Sequence, residues 1–444
     1  MKKSLDFSPS LLLILSFAGA ILIGTFLLML PFSTVSGSIS FVNALFTATS
    51  AVCVTGLIVV DTATYFTTFG QTIILILFQL GGLGIMTFTS LVILLARGDI
   101  SFSEKSVIED SFLSKGGVDL KRFIKDIFIF TFLIEFSGML LLYFNVFSKH
   151  FKEGKAFFHS LFHSVSAFNN AGFSTFSDSL VKYQSSVSLN LVIVFEIIIG
   201  GLGFFVVRDI YYFVKARGKN KFSLHSKLVI VTTFILIVVG FGIFLFLEND
   251  HSLAGKDKLT KILISLFQSA TPRTAGFNTV DLTLITHASA FLLIIFMVIG
   301  ASPGSTGGGM KTTTWAALLL FLRTKLKGKN NVQAFGRNIA WEIVDKAHLI
   351  LLFSIIVIFS GVLLISFFEG DKFSLLQVFF EEVSAYGTVG LSLGITSKIN
   401  SYSKLVLIAT MFVGRVGILN IIYAFVSEKR GANYEYPEEK IIVG

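Results

Sequence analysis

Eight runs of mainly apolar residues, each 21 residues or longer, restrict this chain more than any other feature. They fall near residues 11–31, 71–96, 125–147, 188–214, 227–248, 288–321, 347–368 and 403–427. A helix rises 1.5 Å per residue, so about 20 apolar residues cross the ~30 Å hydrocarbon core of a bilayer. Within each successive pair of runs lies a shorter apolar segment, near 39–50, 157–168, 259–270 and 373–384. A dozen helical residues reach only ~18 Å, so these segments are predicted to dip into the membrane and return. The expected fold is an all-α polytopic membrane protein with eight transmembrane helices and four re-entrant segments. Composition agrees, because only 14% of the 444 residues are charged and 53% are apolar. A soluble domain carries about a quarter charged residues, and this chain has too few to cover such a surface.

The charge that is present is unevenly placed. The net charge of +9 raises the question of nucleic acid. The basic residues, however, sit in short loops after every second run: Arg97 to Lys125, Arg208 to Lys227, and Arg323 to Lys346. The opposite loops carry Asp61, Asp178, Glu248, Asp281 and Glu369. The positive-inside rule then puts the basic loops and both termini in the cytoplasm, with the short segments entering from outside. No nucleic-acid partner is expected; the partner of the apolar surface is membrane lipid. Lys2 and Lys3 precede the first run, which is too long for the apolar core of a cleaved signal and is read as a span. A single cysteine, Cys53, excludes a disulfide within the chain and a Cys-rich metal site.

The four short segments repeat a pattern. They read Leu45-Phe46…Ser50…Cys53-Val54-Thr55-Gly56-Leu57, Leu161-Phe162…Ser166…Asn169-Asn170-Ala171-Gly172-Phe173, Leu266-Phe267…Thr271-Pro272-Arg273-Thr274-Ala275-Gly276-Phe277 and Phe379-Phe380…Ser384…Gly387-Thr388-Val389-Gly390-Leu391. The four glycines are 116, 104 and 114 residues apart. The chain thus divides into four units of span, pore segment and span, at 1–97, 98–218, 219–330 and 331–444. A second echo follows 24–28 residues after each glycine: Gly81-Gly82-Leu83-Gly84, Gly200-Gly201-Leu202-Gly203, Gly300 to Gly304, and Gly414-Arg415-Val416-Gly417. Close helix packing accounts for this second set.

Packing does not account for the first set. Non-helical backbone at membrane depth is tolerated only where it is buried in protein or lines a water-filled path. Four such segments around one axis present a ring of carbonyl oxygens, which can replace the hydration shell of a cation. Glycine permits the dihedrals that turn carbonyls inward, and the helix C-termini add partial negative charge. These strands contain no acidic side chain, so the ion is held by backbone, which favours a weakly hydrated monovalent cation.

At this point the chain resembles the Trk/Ktr/HKT superfamily of K⁺ transporters over its whole length, and within it the Ktr-type membrane subunit. The resemblance implies that Gly56, Gly172, Gly276 and Gly390 are filter glycines. Carbonyls would come from Val54, Thr55, Asn170, Ala171, Thr274, Ala275, Thr388 and Val389, with K⁺ as the transported ion bound at the filter. It implies an intramembrane gate in the sixth run, 302–311, from Ser302, Pro303, Gly304, Gly307, Gly308 and Gly309, with Arg415 in the path below the filter. It further implies a homodimer in the bacterial inner membrane, resting on a cytosolic ring of nucleotide- and NAD-binding regulatory subunits, with no nucleotide on this chain. Some members depend on Na⁺, and a Na⁺ channel or Na⁺-coupled symporter subunit of the same superfamily is the alternative.

Several residues admit a plainer reading. Arg415 lies inside an apolar run, where an arginine costs ~2.5–3.5 kcal/mol or more; it faces a pore or a partner unless it snorkels to an interface. The glycine-rich break is a gate or a packing kink. Its likeness to a phosphate-binding loop fails, because Met310 separates Gly309 from Lys311 and no strand precedes it. Glu135 and Glu196 either pair with backbone or hydroxyl donors or couple ions or protons. Glu381 and Glu382 either pair structurally or lend field to the pore, and Arg273 braces its strand. His159 and His163, four apart, suit a metal but lack a third ligand nearby. No enzyme motif of the Gly-x-Ser-x-Gly or His-Glu-x-x-His kind occurs, so an intramembrane enzyme is not expected.

Overall fold

The computed structural model describes residues 9–84, 87, 120–218, 221–425 and 437. These residues are mainly helical, with one two-residue hairpin, Gln333–Ala334 against Arg337–Asn338. The principal helices are α1 (Pro9–Leu28), α2 (Phe41–Val52), α3 (Thr68–Leu83), α4 (Leu120–Asn145), α5 (Glu153–Phe168), α6 (Val187–Leu202), α7 (Phe204–Lys215), α8 (Leu224–Glu248), α9 (Lys258–Ala270), α10 (His287–Val298), α11 (Thr312–Leu326), α12 (Trp341–Glu369), α13 (Leu375–Gly387), α14 (Ser401–Val416) and α15 (Ile418–Phe425). Among the described residues, four helices can cross a membrane by length and composition, in α1, α4, α8 and α12. The number rises to six if the bent pairs α6–α7 and α14–α15 each count as one span.

Eight spans were expected, the sixth of them broken at its glycine-rich stretch; the second run beyond Gly84 lies largely outside the described residues, and the fourth and eighth runs depart for local reasons. The run at 188–214 bends by 103° and the run at 403–427 by 90°. At each bend a glycine leaves the helix with positive φ: Gly203 (φ 93°, ψ 142°) and Gly417 (φ 89°, ψ 131°). Gly84 ends α3 in the same way, at φ 81°. The sixth run has no helix between Val298 and Thr312; a bridge joins Ile299 to Met310 across the break. Most of the basic loop from Arg97 to Lys125 lies outside the described residues, as do the chain ends.

Local sequence starts the helices cleanly. The helices that follow the short ones, α3, α6, α10 and α14, begin behind Thr67, Ser186, Thr286 and Asn400, whose side chains accept from backbone N–H groups of the first turn. Such a cap is worth ~1 kcal/mol. The first glycine of the second echo permits close approach. A Cβ on Gly81 would lie 2.0 Å from Val52 O, one on Gly200 1.9 Å from Phe168 O, and one on Gly414 2.0 Å from Tyr386 O. Each of these helices also packs on the next short helix: α3 on α5, α6 on α9, α10 on α13, and α14 back on α2. The ends of the four short helices are thereby gathered in one place.

Candidate ion site where four glycine segments meet

Each short helix ends in a left-handed turn. Val54 (φ 56°), Asn170 (φ 57°), Thr274 (φ 74°) and Thr388 (φ 49°) all have positive φ. Two residues on come Gly56 (φ 89°), Gly172 (φ 69°), Gly276 (φ 75°) and Gly390 (φ 93°). A non-glycine residue in this region costs ~1–2 kcal/mol, so the surroundings must hold it there. Part of the hold is local and recurs four times. The backbone N–H groups of Thr55, Ala171, Ala275 and Val389 donate to Ser50 O, Ser166 O, Thr271 O and Ser384 O at 2.7–2.9 Å. The hydroxyls of the same four residues work as well. Gly56 N and Gly390 N donate to Ser50 Oγ and Ser384 Oγ at 3.0 Å, while Ser166 Oγ and Thr271 Oγ1 donate to Phe173 O and Phe277 O at 2.8 and 2.6 Å. Sequence reading missed this role, although a hydroxyl residue six positions before the glycine, or five in the third copy, was its visible signal.

The four glycines meet. A Cβ on Gly56 would lie 2.5 Å from Ala171 O, on Gly172 2.8 Å from Ala275 O, on Gly276 2.5 Å from Val389 O, and on Gly390 2.2 Å from Thr55 O. Each glycine therefore faces the carbonyl just before the next glycine, and the fourth returns to the first. On one side they floor a cavity of about 430 Å³, lined also by Ser174, Asp178, Asn278, Asp281, Ser392 and Thr396. On the other side lies the loop between α10 and α11. Thr306 and Gly308 reach the turns at Asn170 and Thr388, and Gly307 abuts Thr274.

Arg415 does not snorkel: its guanidinium donates to Thr306 O in the loop and to Gly81 O at the end of α3. Lys311 Nζ donates to Gly307 O at 2.8 Å. Two cations thus hold loop carbonyls, and the sequence reading had not given Lys311 this part. Ser302 N donates to Gly201 O (3.0 Å) and Phe204 N to Gly304 O (2.9 Å), so the loop's first half, with Pro303, is tied to the bend between α6 and α7. Gly309 N donates to Gly414 O at 3.2 Å.

The buried carboxyls sit in structural pairings. Glu135 accepts from Gln79 Nε2 (3.1 Å) and Asn169 Nδ2 (2.9 Å), and Glu196 accepts from Ser164 Oγ (2.5 Å). The amide partners of Glu135 are distant in sequence and were not foreseen. Glu381 accepts from Ser392 Oγ at 2.8 Å and from Thr396; Glu382 accepts from Thr410 Oγ1 at 2.8 Å. Arg273 donates to Thr233 Oγ1 at 3.2 Å, tying the third segment to α8. His163 bonds His159 O (2.7 Å) and Ser174 Oγ (3.0 Å), and His159 bonds Thr175 Oγ1 (2.7 Å). Among the described residues no group of three His, Cys, Asp or Glu is placed to hold a metal.

A helical membrane fold that gathers four glycine-bearing turns beside a buried loop is the architecture of a membrane cation transporter. Residues 9–436 match the TrkH family, cation transport proteins, and the chain belongs to that family. It is 37% identical over 444 residues to the Ktr system potassium uptake protein B of Bacillus subtilis (strain 168), covering 100% of this chain and 98% of that one. It is 38% identical to the potassium/sodium uptake protein NtpJ of Enterococcus hirae, covering 98% and 97%. The crystal structure of the potassium transporter TrkH from Vibrio parahaemolyticus shares the fold, with a TM-score of 0.74 at 20% identity over 96% of this chain and 86% of that one. The chain is a transporter-family member and not an enzyme.

Proposed function

We propose that this chain is the K⁺-translocating membrane subunit of a bacterial potassium uptake system. In this reading four units of span, pore helix and span surround one pore, the four glycine segments form its filter, and the loop at 302–311 with Arg415 forms its gate. The observation that carries the reading is the closed circuit of glycines facing carbonyls. φ alternates in sign along each segment, which turns successive carbonyls to one side, where a strand would alternate them. Carbonyls without carboxylates suit a large monovalent cation. The relatives named for potassium support K⁺ as substrate, and the Enterococcus relative, named for potassium and sodium, supports a part for Na⁺. The resemblance to Ktr systems supports a homodimer in the plasma membrane with a separate cytosolic nucleotide-binding ring. Purified protein in liposomes should carry K⁺ or Rb⁺ down a gradient, with and without an opposing Na⁺ gradient. Absence of K⁺ or Rb⁺ flux with Na⁺ flux intact makes it a Na⁺ pathway instead.

The charge asymmetry gives an orientation that is tested separately. In a background lacking Cys53, a single cysteine between residues 208 and 227 should resist an impermeant thiol reagent added to intact cells. One placed at Asp281, in the outer cavity, should react. The reverse pattern inverts the topology.

A further inference from the structure

We propose that Thr306, with the loop backbone at Gly307 and Gly308, sets the ion preference of the site by holding three of its four segments in their left-handed turns. This rests on the potassium-translocating reading above, and gives the loop a task apart from blocking the path.

The contacts fall on particular residues. Of the four left-handed residues, three meet the loop. The Asn170 side-chain amide lies 3.2 Å from Thr306 Oγ1, which also donates to Phe168 O at 3.2 Å, two residues before that turn. Gly308 N donates to Thr388 Oγ1 at 3.0 Å. Gly307 passes so close to Thr274 that a Cβ there would lie 1.9 Å from Thr274 Oγ1. The fourth, Val54, packs instead against Gly81 in α3. Thr306 is fully buried, and its N–H donates to Gly200 O at 3.2 Å. One threonine therefore joins the loop, the close contact between α5 and α6, and the second glycine segment.

The consequence follows from backbone geometry. Asn170, Thr274 and Thr388 occupy a region that non-glycine residues leave when support is withdrawn. The carbonyls of Ala171, Ala275 and Val389 come directly after these turns, so relaxation of a turn rotates the oxygen on which the preceding glycine abuts. Preference between two cations of equal charge depends on how those oxygens are held. A loop that only plugged the path would alter how much ion passes, not which ion.

The test measures Na⁺ competition against Rb⁺ uptake in liposomes for Thr306→Val, Thr306→Ser and Thr388→Val. Valine keeps the shape of threonine and removes the hydroxyl; serine keeps the hydroxyl. The two valine variants should lose about threefold to tenfold of the parent's preference for Rb⁺ over Na⁺, the range expected from one net hydrogen bond. Thr306→Ser should retain the parent preference. Changed flux with unchanged preference in both valine variants overturns the proposal and leaves the loop as a plug. A parent protein that carries neither ion overturns the translocation reading itself, and this inference with it.

Discussion

Serine in place of Gly56, Gly172, Gly276 or Gly390 should reduce discrimination of K⁺ from Na⁺ by about tenfold or more, a change of ~1.4 kcal/mol. Two independent constraints act at each position. All four residues have φ between 69° and 93°, a region costly for any residue with a Cβ. The space a Cβ needs is also filled by a neighbouring carbonyl oxygen at 2.2–2.8 Å, well inside van der Waals contact. Backbone rather than a flexible side chain must give way, and the oxygen displaced is one the ion is expected to meet. The tightest site, Gly390 against Thr55 O, should suffer most, and Gly172 least. Rb⁺ uptake against Na⁺ competition, with insertion checked by membrane fractionation, reads the effect. If all four serine variants keep the parent preference, the filter assignment fails.

Removing the charge of the proposed gate should act differently, on quantity. Arg415→Ala should raise K⁺ flux by about an order of magnitude, because a fixed positive charge beside the path opposes a cation by ~1.7 kcal/mol at ~10 Å and an effective dielectric constant of ~20. The substitution also frees Thr306 O and Gly81 O, which the guanidinium now joins. Deleting 302–309 should raise flux further, lower the preference for K⁺ over Na⁺ because Thr306 goes with it, and loosen dependence on the proposed cytosolic partner. Arg415→Lys, which keeps the charge and loses one of the two anchors, should fall between parent and alanine. Flux in liposomes is the measure, and unchanged or lower flux in both the alanine and deletion variants moves the gate elsewhere.

Much of this arrangement is legible before any coordinates. Four copies of a short apolar segment ending in glycine name the residues that the fold brings together, because a fourfold pattern survives substitution at each copy. The lone Arg415 stands out on cost alone. What escapes is the part written in single copies or over long separations. Nothing local marks Gly203 and Gly417 as bends rather than packing glycines, since the apolar run continues through both. The pairing of Asn170 with Thr306 spans 136 residues, and that of Asn169 with Gln79 spans 90. No periodicity reports such pairs. The anchoring hydroxyls at Ser50, Ser166, Thr271 and Ser384 stood in plain view, but a serine in a helix has many ordinary explanations.

In the proposed filter, the circuit of glycines also bears on how four unequal segments can share one aperture. Each rests on the carbonyl of the next in a single rotational sense, so no segment can move outward without unseating its neighbour. Width is then a joint property of the set, like the opening of an iris whose leaves overlap in turn. Behind the leaves the chain is free to differ: an amide and carboxyl cluster at Asn169, Gln79 and Glu135 backs the second, Arg273 ties the third to α8, and Glu381 with Ser392 and Thr396 backs the fourth. A protein built from four identical subunits must change all four supports at once. A single chain can alter one support at a time while the other three hold the diameter.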